Sequence, residues 1–449
     1  MPLRASCPHP TLLTRALERL SAEGGHAELR CQVLYLVSLD HFCGGGLEQG
    51  KRALQAGAKL ASEIGATQWL ARCASRLASW LQDFEEPTAV KVLVDRALEQ
   101  IDPGEDLYAV LLARKAELSR ELRVAERQRL YVEAERLAAE TGRPEVMLEV
   151  AISRAWQRDP TQLEQSRAAV TAYHALEAKY PHALVGIQRR MGRSGVDFTA
   201  YWFALVAGDL AAAQLALAQC DAAVDACRVP YLRAVLDLVR IALALSEGRL
   251  DEAAAGIARM RESGQLAAGL PGWLMYCTLL HAEAADEHGL FAQLESSMEL
   301  AQVEGLEPRI AMEAAAWFAA LAGRTGNADA ARRSLGRVPD AALERMPVGH
   351  GDIGTLCSIV EACVAVGDRS RADVLYAKLE PHAGLNAVGS AYEYKGSVAH
   401  YLGLLALLRE QPAAAANHFE AALAFNEKLG MQAQVERGRQ LLGRARAGC

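Results

Sequence analysis

At 449 residues, with a formal charge of −7 and a pI near 5.9, the chain lacks the concentrated basic footprint that tracking a phosphate backbone requires. Its Arg-rich stretches are diluted by acids, as where Arg136 lies among Glu133, Glu135 and Glu140, which argues against direct nucleic-acid binding. Apolar residues make up 51% but aromatics only 6%, so the core must come mainly from Ala, Leu and Val, a composition suited to helices packed closely on helices.

In chain order, apolar residues at three- and four-residue steps predict helices over 11–22, 27–42, 47–64, 68–81, 88–101, 106–122 and 126–140, each closed by a Gly, Pro or Asp turn. Leu130, Ala134, Leu137 and Ala138 show the pattern. No stretch alternates with period two, so no strand is expected. Between Pro181 and Tyr201 the rhythm breaks: Arg189, Arg190, Gly192, Arg193 and Gly195 read as a solvated kink, with a small anion-contacting patch as the alternative, between an N-terminal block of irregular helical repeats, 1–180, and a C-terminal block of regular ones, 181–449.

The second block matches itself. A glycine ends one helix and a small residue follows five positions later: Gly208 with Ala213, Gly248 with Ala253, Gly326 with Ala331, Gly367 with Ala372, and Gly289 with Leu294 as the looser partner. Successive glycines are about 40 residues apart, a period typical of stacked helix pairs. Each glycine takes the left-handed conformation at a helix end, and each Ala lets the two helices of a pair approach. A single pair cannot cover its own apolar face, so the pairs stack. The expected fold is an all-α, right-handed superhelical solenoid of about ten antiparallel pairs.

The last unit reads Tyr401-Leu402-Gly403 followed by Ala415 and Phe419, and Ala372 with Tyr376 repeats its second half. This resembles the tetratricopeptide pattern of L-G followed by A-x-x-x-F, in a repeat longer than the usual 34 residues. The wording of residues 396–403 and 418–423 is similar to the C-terminal repeat arms of bacterial STAND/AAA+ ATPase regulators, both LuxR-type and adenylate cyclase-linked. That likeness runs from about Asp352 to the end. It implies a sensor or protein-interaction arm in bacterial signalling, without the ATPase, cyclase or DNA-binding modules.

Chemistry-bearing motifs are few. Gly45 to Lys51 fits G-x-x-x-x-G-K, but Arg52 stands where a magnesium-binding hydroxyl is needed, Glu48 would repel phosphate, and 34–42 reads as helix rather than strand. Cys277, His281 and His288 share a helix face, yet 11 residues of helix rise about 16 Å, so only Cys277 and His281 could share an ion. His41 with Cys43, and His350 with Asp352, are weaker pairs, and no metal or cofactor is expected. Neither G-x-S-x-G nor H-E-x-x-H occurs. The ten cysteines lie scattered in apolar helical stretches, as small buried hydrophobes. No apolar run reaches the length of a membrane span, and the start lacks the apolar core of a signal peptide, which predicts a cytoplasmic protein without membrane contact.

What remains is binding. In stacked pairs the first helices line a concave groove, and their bulky or charged residues are the candidate partner-binding set: Tyr201, Trp202, Tyr231, Arg233, Trp273, Tyr276, Trp317, Tyr392, Tyr394 and Lys395, with Glu393 beside the last cluster. The expected occupant is a partner protein or peptide, or a small effector. A rigid accessory subunit of an enzyme assembly is the alternative reading, and a nucleotide-dependent enzyme using Lys51 the remote one.

Overall fold

A computed structural model describes residues 10–262 and 308–447, apart from 24, 45, 81–86, 120–121, 158, 185, 228, 248, 347, 349–351 and 390–393. Among them the chain is an all-α helical-repeat solenoid of 21 α-helices with one short hairpin. The first block comprises α1 (Pro10–Glu23), α2 (Ala27–Cys43), α3 (Leu47–Ile64), α4 (Thr67–Trp80), α5 (Pro87–Gln100), α6 (Asp106–Leu118), α7 (Val124–Thr141), α8 (Pro144–Ala155) and α9 (Leu163–Lys179). There follow α10 (Gly186–Ala207), α11 (Leu210–Cys227), α12 (Pro230–Ser246) and α13 (Leu250–Glu262). Beyond them come α14 (Pro308–Arg324), α15 (Ala328–Leu335), α16 (Asp340–Arg345), α17 (Asp352–Val366), α18 (Ala372–Leu379), β1 (Asn386–Val388), β2 (Tyr394–Ser397), α19 (Val398–Leu408), α20 (Pro412–Lys428) and α21 (Gln432–Arg446).

From α1 to α13 each helix packs on the next, and every second helix also packs on its counterpart: α2 on α4, α4 on α6, α6 on α8 and α8 on α10. The same holds later for α14 on α17 and α17 on α19. These first helices form two runs of wall, α2 to α10 and α14 to α19. The apolar cores run with it, one from Cys31 to Met260 and another from Met312 to Ala445.

The glycine rule has a clear backbone basis. Gly208, Gly326 and Gly367 have φ of 74°, 78° and 71°. The next residue's N–H reaches back to the helix, Asp209 to Ala204 O at 2.8 Å, Asn327 to Ala322 O at 2.8 Å and Asp368 to Cys363 O at 2.9 Å, which satisfies carbonyls a helix end leaves open. That same residue then starts the next element, since Asp209 and Asn327 side chains accept the N–H of Ala212 and Ala330. The small partners Ala213, Ala253, Ala331 and Ala372 are all buried. Gly403 of the Leu-Gly pair sits against the Phe419 ring, where a Cβ would come within 2.5 Å, so the two halves of that motif are in contact.

Two expectations are corrected. The kink at 181–201 is absent: a turn at 181–184 is followed by α10, 22 residues long and unbroken. Gly192 and Gly195 lie within it, and a Cβ on either would overlap Ile152 or the Trp156 ring, so these glycines let α10 press onto α8. Strands do occur. The hairpin β1–β2 pairs antiparallel, Asn386 with Ser397 and Ala387 with Gly396, and a bulge follows before Val388 meets Tyr394. The bulge and a length of three or four residues erase the alternation by which a strand is recognised in sequence. The segment before the G-x-x-x-x-G-K string is helix α2, as its spacing predicts, and not the strand a phosphate loop requires.

The C-terminal units also turn back on the middle of the chain. β1 packs on α10, and β2 packs on α12 and α20. Asn386, fully buried, donates from Nδ2 to Leu205 O at 2.7 Å, near the end of α10. Phe425 of α20 lies against Gly208, where a Cβ would come within 2.5 Å.

Candidate functional site

The predicted binding residues divide sharply. Tyr201 and Trp202 are 0% and 1% exposed in the core of α10, so they fill helix interfaces and do not face a groove. Their ring area is worth more between helices than in water. Tyr394 is likewise buried, at 5%: its hydroxyl donates to Asn426 Oδ1 at 2.7 Å, with Asn386 Oδ1 3.0 Å away, which locks the hairpin onto α20. Arg233 is half-buried on α12 and pairs with Asp221 at 3.1 Å and with Asp225. Tyr231 belongs to α12, but its side chain, like Trp273, Tyr276, Tyr392 and Glu393, lies outside the described residues, as do Cys277, His281, His288 and His350.

Trp317 and Lys395, far apart in sequence, meet. The Lys395 ammonium lies 5.8 Å from the centre of the Trp317 indole; both residues are partly buried, and the indole packs against the larger core. α14 carries Trp317 and β2 carries Lys395.

Lys395 also acts on a carboxylate outside that candidate set. Glu361, on α17, has a side chain only 5% exposed, and its carboxylate is held from both sides: Arg437 Nη1 of α21 at 2.8 Å on Oε1, and Arg324 Nη2 at the end of α14 at 3.0 Å on Oε2. Burial alone would raise the Glu361 pKa, but the charges of Arg324, Arg437 and Lys395 outweigh it and hold the carboxyl well below the usual carboxylate range. Glu361 therefore stays ionised. The Arg437 guanidinium is held more firmly charged by the same carboxylate.

Behind this cluster lies α19. Burial, with the Arg437 charge adding to it, pushes His400 down to about 3, so its imidazole is neutral near pH 7. The His400 ring stands edge-on to Tyr401 and Phe419, and its Nε2 is buried without a hydrogen-bond partner among the described residues. Tyr401 donates to the Lys395 carbonyl at 2.8 Å and so fixes β2 against the wall. Burial raises the Cys357 thiol well above its ordinary value, which leaves no thiolate for nucleophilic chemistry.

A signal for Glu361 was present. It is the only charged residue between Ile353 and Val366, in a helix otherwise apolar or small. A lone acid in such a helix needs a partner, because an unpaired buried charge costs several kcal/mol.

The first block has a polar network on its own run of helices, α2 to α8, of different character. Arg76 of α4 reaches Tyr35 Oη of α2 at 3.2 Å and Glu149 of α8 at 4.0 Å, while Arg114 of α6 binds Glu117 at 2.9 Å and Glu149 at 3.3 Å. Ser153 donates to Glu117 at 2.7 Å. Two cations face two anions, and the Arg114 side chain is 1% exposed, so this network fixes helix register and offers a partner little.

A cavity of about 400 Å³ opens between α12 and α13, with Ile241, Ala244 and Met260 on its floor and Asp237, Arg240, Glu252 and Arg259 at its rim. Among the described residues no group of three or more His, Cys, Asp or Glu could hold a metal ion, and no helix is long and apolar enough to cross a membrane.

No protein-family model matches the chain, and no curated protein matches it. A solved structure to which it is similar is a "circular tandem repeat protein with novel repeat topology and enhanced subunit contact surfaces", at 15% identity over 97% of this chain and 88% of that chain, with a TM-score of 0.18. The fold therefore rests on the helix packing described above, and a helical-repeat solenoid of this kind suits protein interaction.

Proposed function

We propose that the chain is a non-catalytic interaction or sensor module of bacterial signalling or regulation, working in the cytoplasm, whose wall of first helices takes a partner protein, a peptide or a small effector. The repeats resemble the tetratricopeptide type, and the wording of the last unit resembles the sensor arms of bacterial ATPase regulators.

One observation carries the reading: separate units bring a partly buried indole, Trp317, and three cations, Arg324, Lys395 and Arg437, to one place in the fold. Trp and Arg are the side chains that most often anchor a protein interface, because each covers a large area with little loss of conformational freedom per contact. A catalytic site would instead need a poised acid, base or nucleophile. Here the carboxylate is locked between two guanidiniums, the thiol is protonated and the imidazole is neutral.

Photo-crosslinking in the source cell tests this. With benzoylphenylalanine in place of Trp317, crosslinks to a defined protein or peptide are expected; in place of Leu215, exposed on the second helix α11, they are not. Equal crosslinking from both positions, or none from Trp317, would remove the wall as the binding face.

A further inference from the structure

We propose that the cavity between α12 and α13 binds a free α-amino acid with an apolar side chain, whose carboxylate is taken by Arg259 and whose ammonium is taken by Asp237. The site is built on elements other than those around Trp317 and does not rest on the function proposed above.

Two helix faces make the site. Asp237, Ile241 and Ala244 recur at four- and three-residue steps along α12, and Gly256 and Met260 stand one turn apart on α13 with Arg259 beside them, so each set lies on one face of its helix. Between the faces lies a cavity of about 400 Å³. Sites for small ligands run to roughly 300–1,000 Å³, so an amino acid is of fitting size. Ile241, Ala244 and Met260 are all buried and give the cavity an apolar floor. Gly256 brings the helices together there, since a Cβ would come within 2.7 Å of Ile241. The same Cβ would lie 3.7 Å from Arg259 Nη2, so the guanidinium of this exposed residue folds back over the floor.

The charges at the rim select the ligand. Two of the four are already engaged, Arg240 by Asp221 at 2.7 Å and Glu252 by Arg249. The other two are not. Among the described residues Arg259 forms no ion pair, and Asp237 has only the Arg240 guanidinium, loosely, at 3.9 Å. Asp237 and Arg259 act on each other's charge across the cavity without meeting. Burial raises the Asp237 pKa, and the charges of Arg233, Arg240 and Arg259 do not make up for it, so this carboxylate is short of compensation. An anion on one wall, a cation on the other and an apolar floor between them match a molecule that carries both charges and an apolar body. A simple anion or cation would satisfy one wall and leave the other half-buried charge unmatched.

The test is a saturation-transfer NMR titration of the full-length chain with leucine, methionine, aspartate and lysine in turn. Leucine and methionine are expected to bind; aspartate and lysine, which would set a charge on the apolar floor, are not. Leucine should bind about tenfold or more weakly to Arg259→Gln and to Asp237→Asn, the size of one lost charge-assisted contact. Two modified ligands separate direct contact from a structural effect. Leucine amide lacks the carboxylate, so it should bind the parent weakly and lose nothing further in Arg259→Gln. N-acetyl-leucine lacks the ammonium and should lose nothing further in Asp237→Asn. Should Asp237→Asn fail to fold, the exposed Arg259 and leucine amide carry the test alone. Failure of leucine and methionine to bind at millimolar concentration would overturn the site. Leucine that binds both variants as well as the parent would overturn its location, and equal binding of leucine and leucine amide to the parent would overturn the amino-acid class.

Discussion

His400 ties stability to pH through a single side chain. It is buried between Tyr401 and Phe419, and protonating it there would place a second cation beside Arg437. Its folded pKa is about 3 against an ordinary 6.5, so below 6.5 the unfolded chain takes up a proton that the folded chain refuses. The stability due to a neutral His400 is therefore complete above 6.5 and drains away as pH falls toward 3. At pH 5 the loss is about 2 kcal/mol, from roughly 1.5 pH units at 1.36 kcal/mol each. Glu361 works in the same direction but only below about 4.5, the ordinary carboxylate value, since its folded pKa is lowered. His382 and His418 are also lowered by burial, and their contribution is common to parent and variant. Urea denaturation at pH 6.5 and pH 5 should then show His400→Phe losing about 2 kcal/mol less than the parent over that interval. Equal losses in the two proteins would mean that His400 is protonated in the fold.

At the scale of the element, the glycines of α10 separate two accounts of one segment. If residues 186–200 were a solvated kink, Gly195→Ala would stabilise the chain by up to about 1 kcal/mol, because Ala is the better helix former. The structure places the missing side chain in contact with the Trp156 ring, so Ala must push α10 and α8 apart, and a loss of about 1–3 kcal/mol is expected from overpacking. The sign of the change in urea midpoint decides between them. Much else about the elements was legible: the helices of the first block appear within a few residues of where their three- and four-residue spacing put them, and the glycine-plus-five rule marks real helix ends at Gly208, Gly326 and Gly367, while Gly248, Gly289 and Leu294 lie outside the described residues. The rule misses the last unit for a physical reason. There Glu410 occupies the glycine position, with φ of 61°, five residues before the buried Ala415, and Gln411 N–H closes the turn on Ala406 O at 2.8 Å. A non-glycine residue in that conformation costs on the order of 1 kcal/mol, a strain the fold tolerates and a pattern search does not see. Sequence pattern could not separate Tyr201, Trp202 and Tyr394, which are core, from Trp317 and Lys395, which are partly exposed, because period reports which face a residue is on and not what covers that face. Lys395 owes its place beside Trp317 to a hairpin too short and too bulged to be read in advance.

On the scale of the whole molecule, the return of the C-terminal units onto α10–α12 converts a chain of nearest-neighbour contacts into one with a long-range tie. In a simple stack each unit touches only its neighbours, and local opening of one end leaves the middle undisturbed. Here Asn386 spends its amide on Leu205 O at 2.7 Å while its Oδ1 faces the Tyr394 hydroxyl at 3.0 Å, so one side chain joins the end of α10, the hairpin and, through Tyr394 and Asn426, helix α20. All of these groups are buried, and a donor or acceptor left unmatched in such a place costs about 1–3 kcal/mol. Asn386→Ala should consequently lower global stability by about 2–3 kcal/mol, the lost amide bonds adding to the small void. The more telling readout is hydrogen exchange followed by mass spectrometry. If the tie is two-sided, backbone amides in the last turn of α10 and in the two strands of the hairpin should lose protection together and by the same free energy, because the same opening exposes both. Loosening confined to the hairpin would show that α10 is held by α8 and α11 alone. The C-terminal repeats would then be an independent unit resting on the rest of the solenoid, and a partner seated at Trp317 and Lys395 could not be felt at α10.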